Sequence, residues 1–397
     1  MTNIKTHINL YNDELSTLKK KGYYRKLPEK VYNKNNIESN NFNDSNYNLN
    51  FSTNDYLNLS HHPEIIKAGF DAMNKYGVGS TGSRLLSGNI SLYEEFEEII
   101  AKNKNTESSI IFNSGFQANI TVLSSLLDYR VLKCYPIVFF DKLNHSSLYQ
   151  AIFLSKAELH RYYHNDLNHL VKLMEKYKYD IRPKFLVTET VFGMDGDVID
   201  IEKIISLTKE FNILLYLDEA HATGLFGPKG YGLSTSIKMD NIDYIVMGTF
   251  SKALGVSGAY IACSSIIKEY LINKCPGIIY STAPSPAVIG CSFKSWQMIE
   301  FMNNERLYLQ DLANILRLEL KNLDFDIGES TTHIIPIILN DEYKTLYAQK
   351  ELLKNNIITS AIRPPTASSS RLRIALTTKH NYKSIDHLLK YIIKLIK

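Results

Sequence analysis

The strongest candidate for covalent chemistry is the lysine in Thr249-Phe250-Ser251-Lys252-Ala253-Leu254-Gly255. The run Tyr244-Ile245-Val246-Met247 leads into it and predicts a short buried strand. Hydroxyls at Thr249 and Ser251, then glycines at Gly255 and Gly258, predict a turn after that strand. A lysine held there has a poorly solvated ammonium. Its pKa falls, and the amine becomes a nucleophile toward carbonyls. The alternative is a lysine that simply reaches solvent from a strand end, and the surroundings of Lys252 alone do not separate the two.

Asp218-Glu219-Ala220-His221 follows a second apolar run, Leu214-Leu215-Tyr216-Leu217. An aspartate at a strand end can pair with a protonated pyridine nitrogen, and pyridoxal phosphate combines that ring with an aldehyde a lysine can hold. His221 is then placed to hydrogen-bond the ring's phenolic oxygen. A helicase reading of the same four residues needs a Walker A loop, and the chain has none. A metal reading lacks a second ligand cluster to complete it, so no metal is expected. Ser114-Gly115-Phe116 turns a predicted strand into a helix, whose first amides and dipole suit a phosphate together with Thr249. His145, in Asn144-His145-Ser146-Ser147, is placed either to lie on an aromatic cofactor or to serve structure alone. Arg371 and Arg373 alternate with Leu372 and Ile374. One of them points inward to a carboxylate, or the strand is an edge and both face water.

These positions need a frame. Strands are predicted at Ser109–Asn113, Ile137–Asp141, Phe185–Thr188 and Leu214–Leu217. Helices are predicted from Pro63 to about Lys75, through Leu92 and Ile100, from about Gln117, after His145, and over 201–210. Such alternation predicts an α/β chain with a mostly parallel sheet covered on both faces, its ligands beyond the strands' carboxyl ends. The glycine- and hydroxyl-rich stretch Gly77–Arg84 adds a second loop in which backbone can approach an anion. After about Pro284 the pattern changes to two helices, short strands at His333–Leu339, Thr359–Arg363 and Leu372–Leu376, and a closing helix from Ser384, a smaller α+β domain. The N-terminal region predicts a helix within 9–26 and a short hairpin around Tyr47, Leu49 and Phe51. The domain expectation is therefore 1–53, 54–284 and 285–397.

At 397 residues, with 22% charged side chains and a net charge of +4, the chain is long enough for a large core and carries no basic block for nucleic acid. Its four cysteines show neither disulfide nor zinc spacing, which predicts free thiols in a reducing compartment. No stretch nears the ~18 continuous apolar residues of a membrane span, and Met1–Thr6 show no apolar h-region, so neither a span nor a secretory leader is expected. A cytoplasmic protein is expected.

Assembled in order, the motifs resemble the α-oxoamine synthases, a branch of the fold-type I pyridoxal-phosphate enzymes. The resemblance runs from about Leu15 to the C-terminal helix. It rests on Ser52–Leu57, Gly79–Arg84, Asn113–Phe116, Asn144–Ser147, Met194–Asp197, Asp218–His221, Thr249–Lys252 and Tyr280–Thr282. Ala361–Thr366 and His61-His62-Pro63 point to the members that join L-alanine to a pimeloyl thioester, carried by acyl carrier protein or coenzyme A, in biotin synthesis. The resemblance implies that Lys252 holds the cofactor, Asp218 pairs with its ring nitrogen, His145 stacks on the ring and His221 meets its phenolic oxygen. It assigns the phosphate to Gly115, Phe116 and Thr249, with Ser281 and Thr282 from the neighbouring subunit of a homodimer. Arg373 matches the arginine for the amino acid's carboxylate; Arg25 and Thr366 match substrate-contacting positions.

Two departures stand out. The family usually has serine where Gly193 stands in Phe192-Gly193-Met194-Asp195-Gly196, so one hydrogen bond to the cofactor, typically ~0.5–1.5 kcal/mol, is missing or comes from elsewhere. The loop Ala367–Ser370 is shorter than the family's. The alternatives that remain are a relative using glycine with acetyl- or succinyl-coenzyme A, and a non-catalytic pyridoxal-phosphate module.

Overall fold

The computed structural model describes residues 7–27 and 49–396. The apolar runs of the middle of the chain form one seven-stranded sheet. Its strands are β1 (Ser108–Phe112), β2 (Ile137–Asp141), β3 (Glu158–Tyr162), β4 (Lys184–Glu189), β5 (Leu214–Asp218), β6 (Tyr244–Thr249) and β7 (Ala259–Cys263). Their spatial order is β1-β7-β6-β5-β4-β2-β3. β7 runs antiparallel to both neighbours, and every other pair is parallel. All residues of β2 and of β7 are buried, as strands covered on both faces must be. The α/β architecture with a mostly parallel sheet is therefore as expected. β3 and β7 were not foreseen.

Helices Gly115–Leu126 and Ser146–Ser155 pack together and onto the sheet. Val122, Leu123 and Leu148 meet Phe112, Phe140, Val187, Met247 and Ile261 in one buried cluster. Each such side chain stabilises the fold by about 1.5–3 kcal/mol relative to exposure.

Packing divides the chain into a larger unit, Asn54–Asp311 with Thr377–Lys379, and a smaller one from Met1–Thr53, Leu312–Leu376 and His380–Lys397. The expectation drew the second boundary at 284, but helix Pro286–Ile299 packs closely on helix Pro63–Tyr76 within the larger unit. Small residues allow this approach. A Cβ added at Gly69 would lie 2.5 Å from Cys291 Sγ, and one at Gly290 would lie 2.6 Å from the Ala72 Cβ.

Within the smaller unit, Arg371–Ala375 is the middle strand of an antiparallel sheet, between Ser360–Ile362 and Ile334–Ile338. Leu49–Asn50 pairs in parallel with Ile357–Ile358; most of the stretch expected to form a hairpin lies outside the described residues. Tyr47 lies outside the described residues.

Candidate active site

Lys252 sits in the turn between β6 and β7, whose register begins at Thr249 opposite Ala259. Phe250 N–H donates to Gly258 O (2.9 Å), Val256 N–H to Phe250 O (2.9 Å) and Gly255 N–H to Lys252 O (2.9 Å). The Thr249 hydroxyl donates to Gly258 O at 2.8 Å. Gly255 has φ +69°, and a Cβ there would stand 2.4 Å from Ser60 N, so both conformation and space require glycine. The backbone of the candidate nucleophile is therefore braced across its turn.

One strand away, Asp218 ends β5 with 3% of its surface exposed. Its Oδ1 accepts Ala220 N–H at 2.9 Å and its Oδ2 accepts Asn119 Nδ2–H at 2.8 Å. In the sheet register Asp218 lies opposite Met247 of β6 and Glu189 of β4. The neighbouring carboxylate takes another course. Glu219 pairs with Lys104, whose ammonium also donates to Tyr231 O (2.7 Å) and Ser234 Oγ (2.8 Å). Ser234 N–H donates to Glu219 Oε1 at 2.6 Å. Burial lowers the Lys104 pKa, and Glu219 opposes the shift. Glu219 thus belongs to the scaffold.

The helix start expected to bind an anion lies beside the end of β6, since a Cβ at Gly115 would be 3.8 Å from the Thr249 Cβ. Ser114 caps that helix, its hydroxyl accepting Gln117 N–H at 3.2 Å, and Ala118 N–H to Ser114 O (2.9 Å) opens the ladder. The Gly115 and Phe116 amides precede that bond and belong to the set a helix leaves for outside acceptors. The Phe116 side chain is 53% exposed. Ser281 and Thr282 meet the same segment within the one chain. Gln117 donates to Ser281 Oγ (2.9 Å), and Asn113 donates to Ser281 Oγ (3.3 Å) and Thr282 O (2.9 Å).

His145 caps the helix that follows β2, its Nδ1 accepting Ser147 N–H at 3.3 Å. Desolvation lowers its pKa; Asp218 opposes this and Lys252 reinforces it. His145 as a residue is exposed. His221 is buried, with Nδ1 2.8 Å from the Tyr56 hydroxyl. The peptide at Gly193 lies against the other side of that ring. Glu189 is a buried carboxyl whose pKa is raised well above 4.5 by burial and by Asp218, against the pull of Lys252 and the His145 amide.

Sequence reasoning missed His164. Its Nδ1 lies 2.9 Å from Asp141 Oδ1 and its Nε2 2.8 Å from Asp197 Oδ2. Burial alone would lower its pKa, but the two aspartates outweigh that and raise it to about 10. The imidazolium ties the end of β2, which leads to His145, to the loop that carries Gly193. Asp197 closes the Met194–Asp197 motif, and its residue type and spacing do not mark it as a partner of His164.

The larger unit therefore brings together Lys252, Thr249, Asp218, His145, His221, Gly193 and the Gly115-Phe116 turn. Ser281 and Thr282 also lie in the larger unit, while Arg25, Thr366 and Arg373 belong to the smaller one. There Arg25 donates to Thr366 Oγ1 at 2.9 Å. Arg371 and Arg373 are both buried, at 3% and 4% exposure, which removes the edge-strand alternative. Arg371 donates to Ser369 O (3.2 Å) and Ser369 Oγ (2.7 Å).

Residues 47–392 match the Aminotransferase class I and II family. A Gluconacetobacter diazotrophicus protein named 8-amino-7-oxononanoate synthase is 39% identical over 86% of this chain and 86% of its own. A Paramagnetospirillum magneticum protein provisionally given the same name is 43% identical over 88% of each chain. The chain belongs to the 8-amino-7-oxononanoate synthase family, among the fold-type I pyridoxal-phosphate enzymes. A solved synthase of that name from Francisella tularensis superposes with a TM-score of 0.75 at 30% identity, covering 87% of this chain and 97% of its own. Serine palmitoyltransferase from S. paucimobilis, solved with pyridoxal phosphate joined to myriocin, gives a TM-score of 0.82 at 26% identity over 88% and 87%. The fold is thus shared with an enzyme named for a different acyl substrate.

Proposed function

We propose that the chain condenses L-alanine with a pimeloyl thioester to give 8-amino-7-oxononanoate, carbon dioxide and the free thiol, a step of biotin synthesis. The observation that carries this reading is the buried Asp218 carboxylate, fixed by Asn119 and by its own turn, one strand from the turn of Lys252. The donor set fits pyridoxal phosphate: an amine for the aldehyde, an acid for the ring nitrogen, and amides with a threonine for the phosphate.

Bound pyridoxal phosphate supplies the sink for the electron pair left on the α-carbon of alanine. Lys252 holds the cofactor and, once its amine is released, takes the α-proton at Nζ. Asp218 keeps the proton on the ring nitrogen. His145 covers the ring and faces the thioester oxygen as charge builds there. His221, beside Gly193, meets the phenolic oxygen. Gly115, Phe116 and Thr249 hold the phosphate, and Ser281 and Thr282 of the neighbouring subunit of a homodimer complete it. Arg373 takes the alanine carboxylate, while Arg25 and Thr366 contact the acyl donor. The enzyme acts in the cytoplasm, which fits its free cysteines and the lack of a membrane-crossing helix among the described residues.

Purified protein assayed with alanine and glycine against pimeloyl, acetyl and succinyl thioesters, on coenzyme A and on carrier protein, tests the reading. Turnover with alanine and a pimeloyl donor is expected, and Lys252→Ala lowers it by at least about a thousandfold. Preference for glycine and a short acyl chain would replace this reading with the related activity.

A further inference from the structure

Asn119 is 1% exposed and every polar atom of its side chain has a partner. Its Nδ2 lies 2.8 Å from Asp218 Oδ2 and 2.9 Å from Ser147 Oγ, while Tyr216 OH lies 2.8 Å from its Oδ1. An ionised carboxylate only accepts, so the nitrogen must face Asp218 and the amide has one orientation. The other amide hydrogen therefore goes to Ser147 Oγ. That hydroxyl lies 2.7 Å from His145 Nδ1, and because the Ser147 backbone N–H, which can only donate, already takes that nitrogen as its acceptor, the hydroxyl's proton goes to it as well. The Ser147 backbone N–H points at the same nitrogen from 3.3 Å.

Two donors converging on Nδ1 leave no room for a proton there. We propose that Asn119 and Ser147 are positioning residues that fix His145 as the neutral tautomer protonated on Nε2. A chain of hydrogen bonds then runs from Asp218 through Asn119 and Ser147 to His145. The carboxylate that fixes the amide of Asn119 thereby also decides where the proton of His145 sits. The proposal deepens the condensation reading and rests on it for its consequence. His145 then serves the thioester oxygen by donating from Nε2–H, and does not shuttle a proton through Nδ1. Donation to a neutral nitrogen also resists protonation, in the same direction as the desolvation of the imidazole. The charged groups acting on the imidazole are Asp218, which favours the imidazolium, and Lys252, which disfavours it. Glu189 acts more remotely, through the His145 backbone amide.

The test is long-range proton–nitrogen NMR of the holoenzyme labelled with 15N-histidine, from about pH 6 to about pH 8.5. The His145 signal is identified by its loss in His145→Gln. The expected pattern is a neutral ring protonated on Nε2 throughout. Ser147→Ala raises the His145 pKa by about one unit toward its ordinary ~6.5, and Ser147→Thr restores the wild-type titration. Asn119→Ala shifts it the same way; Ser147→Ala carries the test alone should Asn119→Ala not fold. In steady-state assays Ser147→Ala lowers kcat about tenfold with the KM for alanine within about twofold. An Nδ1–H tautomer or an imidazolium at neutral pH in the wild type would overturn the proposal. So would a Ser147→Ala titration identical to wild type. Wild-type protein that shows the expected tautomer yet turns over no substrate would sink the condensation reading and leave the tautomer assignment standing.

Discussion

Gly193 and the imidazole of His221 share one volume: a Cβ at 193 would stand 2.1 Å from His221 Nε2 and 2.8 Å from its Cδ2 and Cε1. The glycine that departs from the family's serine is thus fitted to this placement of His221, whose Nδ1 is beside the Tyr56 hydroxyl. Restoring serine does not simply return a hydrogen bond, because the side chain must first displace the ring. Gly193→Ser is expected to weaken pyridoxal-phosphate binding about tenfold, or about 1.4 kcal/mol, in an absorbance titration of the apoenzyme. Tighter binding with unchanged turnover would show that the ring moves aside at no cost.

Glu189 provides a pH signature. Its folded-state pKa is raised above the ordinary 4.5, so its contribution to stability is complete below that value and is lost as pH rises through the folded pKa. Glu189→Gln cannot suffer that loss. Its melting temperature relative to wild type should climb steadily from about pH 5 to about pH 8 in differential scanning fluorimetry. A constant difference across that window would mean the carboxyl is ionised throughout.

His164 should behave with a different window. Its pKa is raised from 6.5 to about 10, so the stability it contributes is complete below 6.5 and disappears as pH rises through about 10. The melting-temperature gap between wild type and His164→Gln is expected to be widest near pH 6 and to shrink toward pH 10. A gap that widens with pH would contradict the charged clamp between Asp141 and Asp197.

The Lys104–Glu219 pair, with neither side chain exposed, calls for a double substitution. Lys104→Met alone strands a buried carboxylate and should cost about 3–5 kcal/mol in urea unfolding. Adding Glu219→Gln removes the uncompensated charge and should recover a large part of the loss. Equal stability of the single and double variants would show that the charge of Glu219 is neutralised in some other way.

Much of this site was legible because its residues stand where apolar runs stop. Lys252 after Tyr244–Met247, Asp218 after Leu214–Leu217 and the Gly115 turn after Ser109–Phe112 each mark the end of a strand. Parallel strands gather such ends on one edge. Strand Glu158–Tyr162 was hidden because it forms the margin of the sheet and carries Glu, His and Arg among its five residues. The backward run of Ala259–Cys263 was hidden because an apolar strand reads the same in either direction. Asn119, Ser147 and His164 escaped notice for another reason. Their partners lie 99, 28 and 23 or 33 positions away in sequence for Asp218, Asn119 and the two aspartates, and only the folded sheet makes them neighbours.

The reversed course of β7 has a mechanical meaning. Asp141, Glu189 and Asp218 end strands whose chain departs toward a crossover. The segment holding Lys252 is a span with both abutments in the same sheet, Thr249 on one side and Ala259 on the other. Its main chain has little travel. The reach needed to hold a cofactor, let go of it and return must come from rotation about the bonds of one lysine side chain. Length inserted between 250 and 258 would therefore slacken the catalytic arm while leaving the sheet intact.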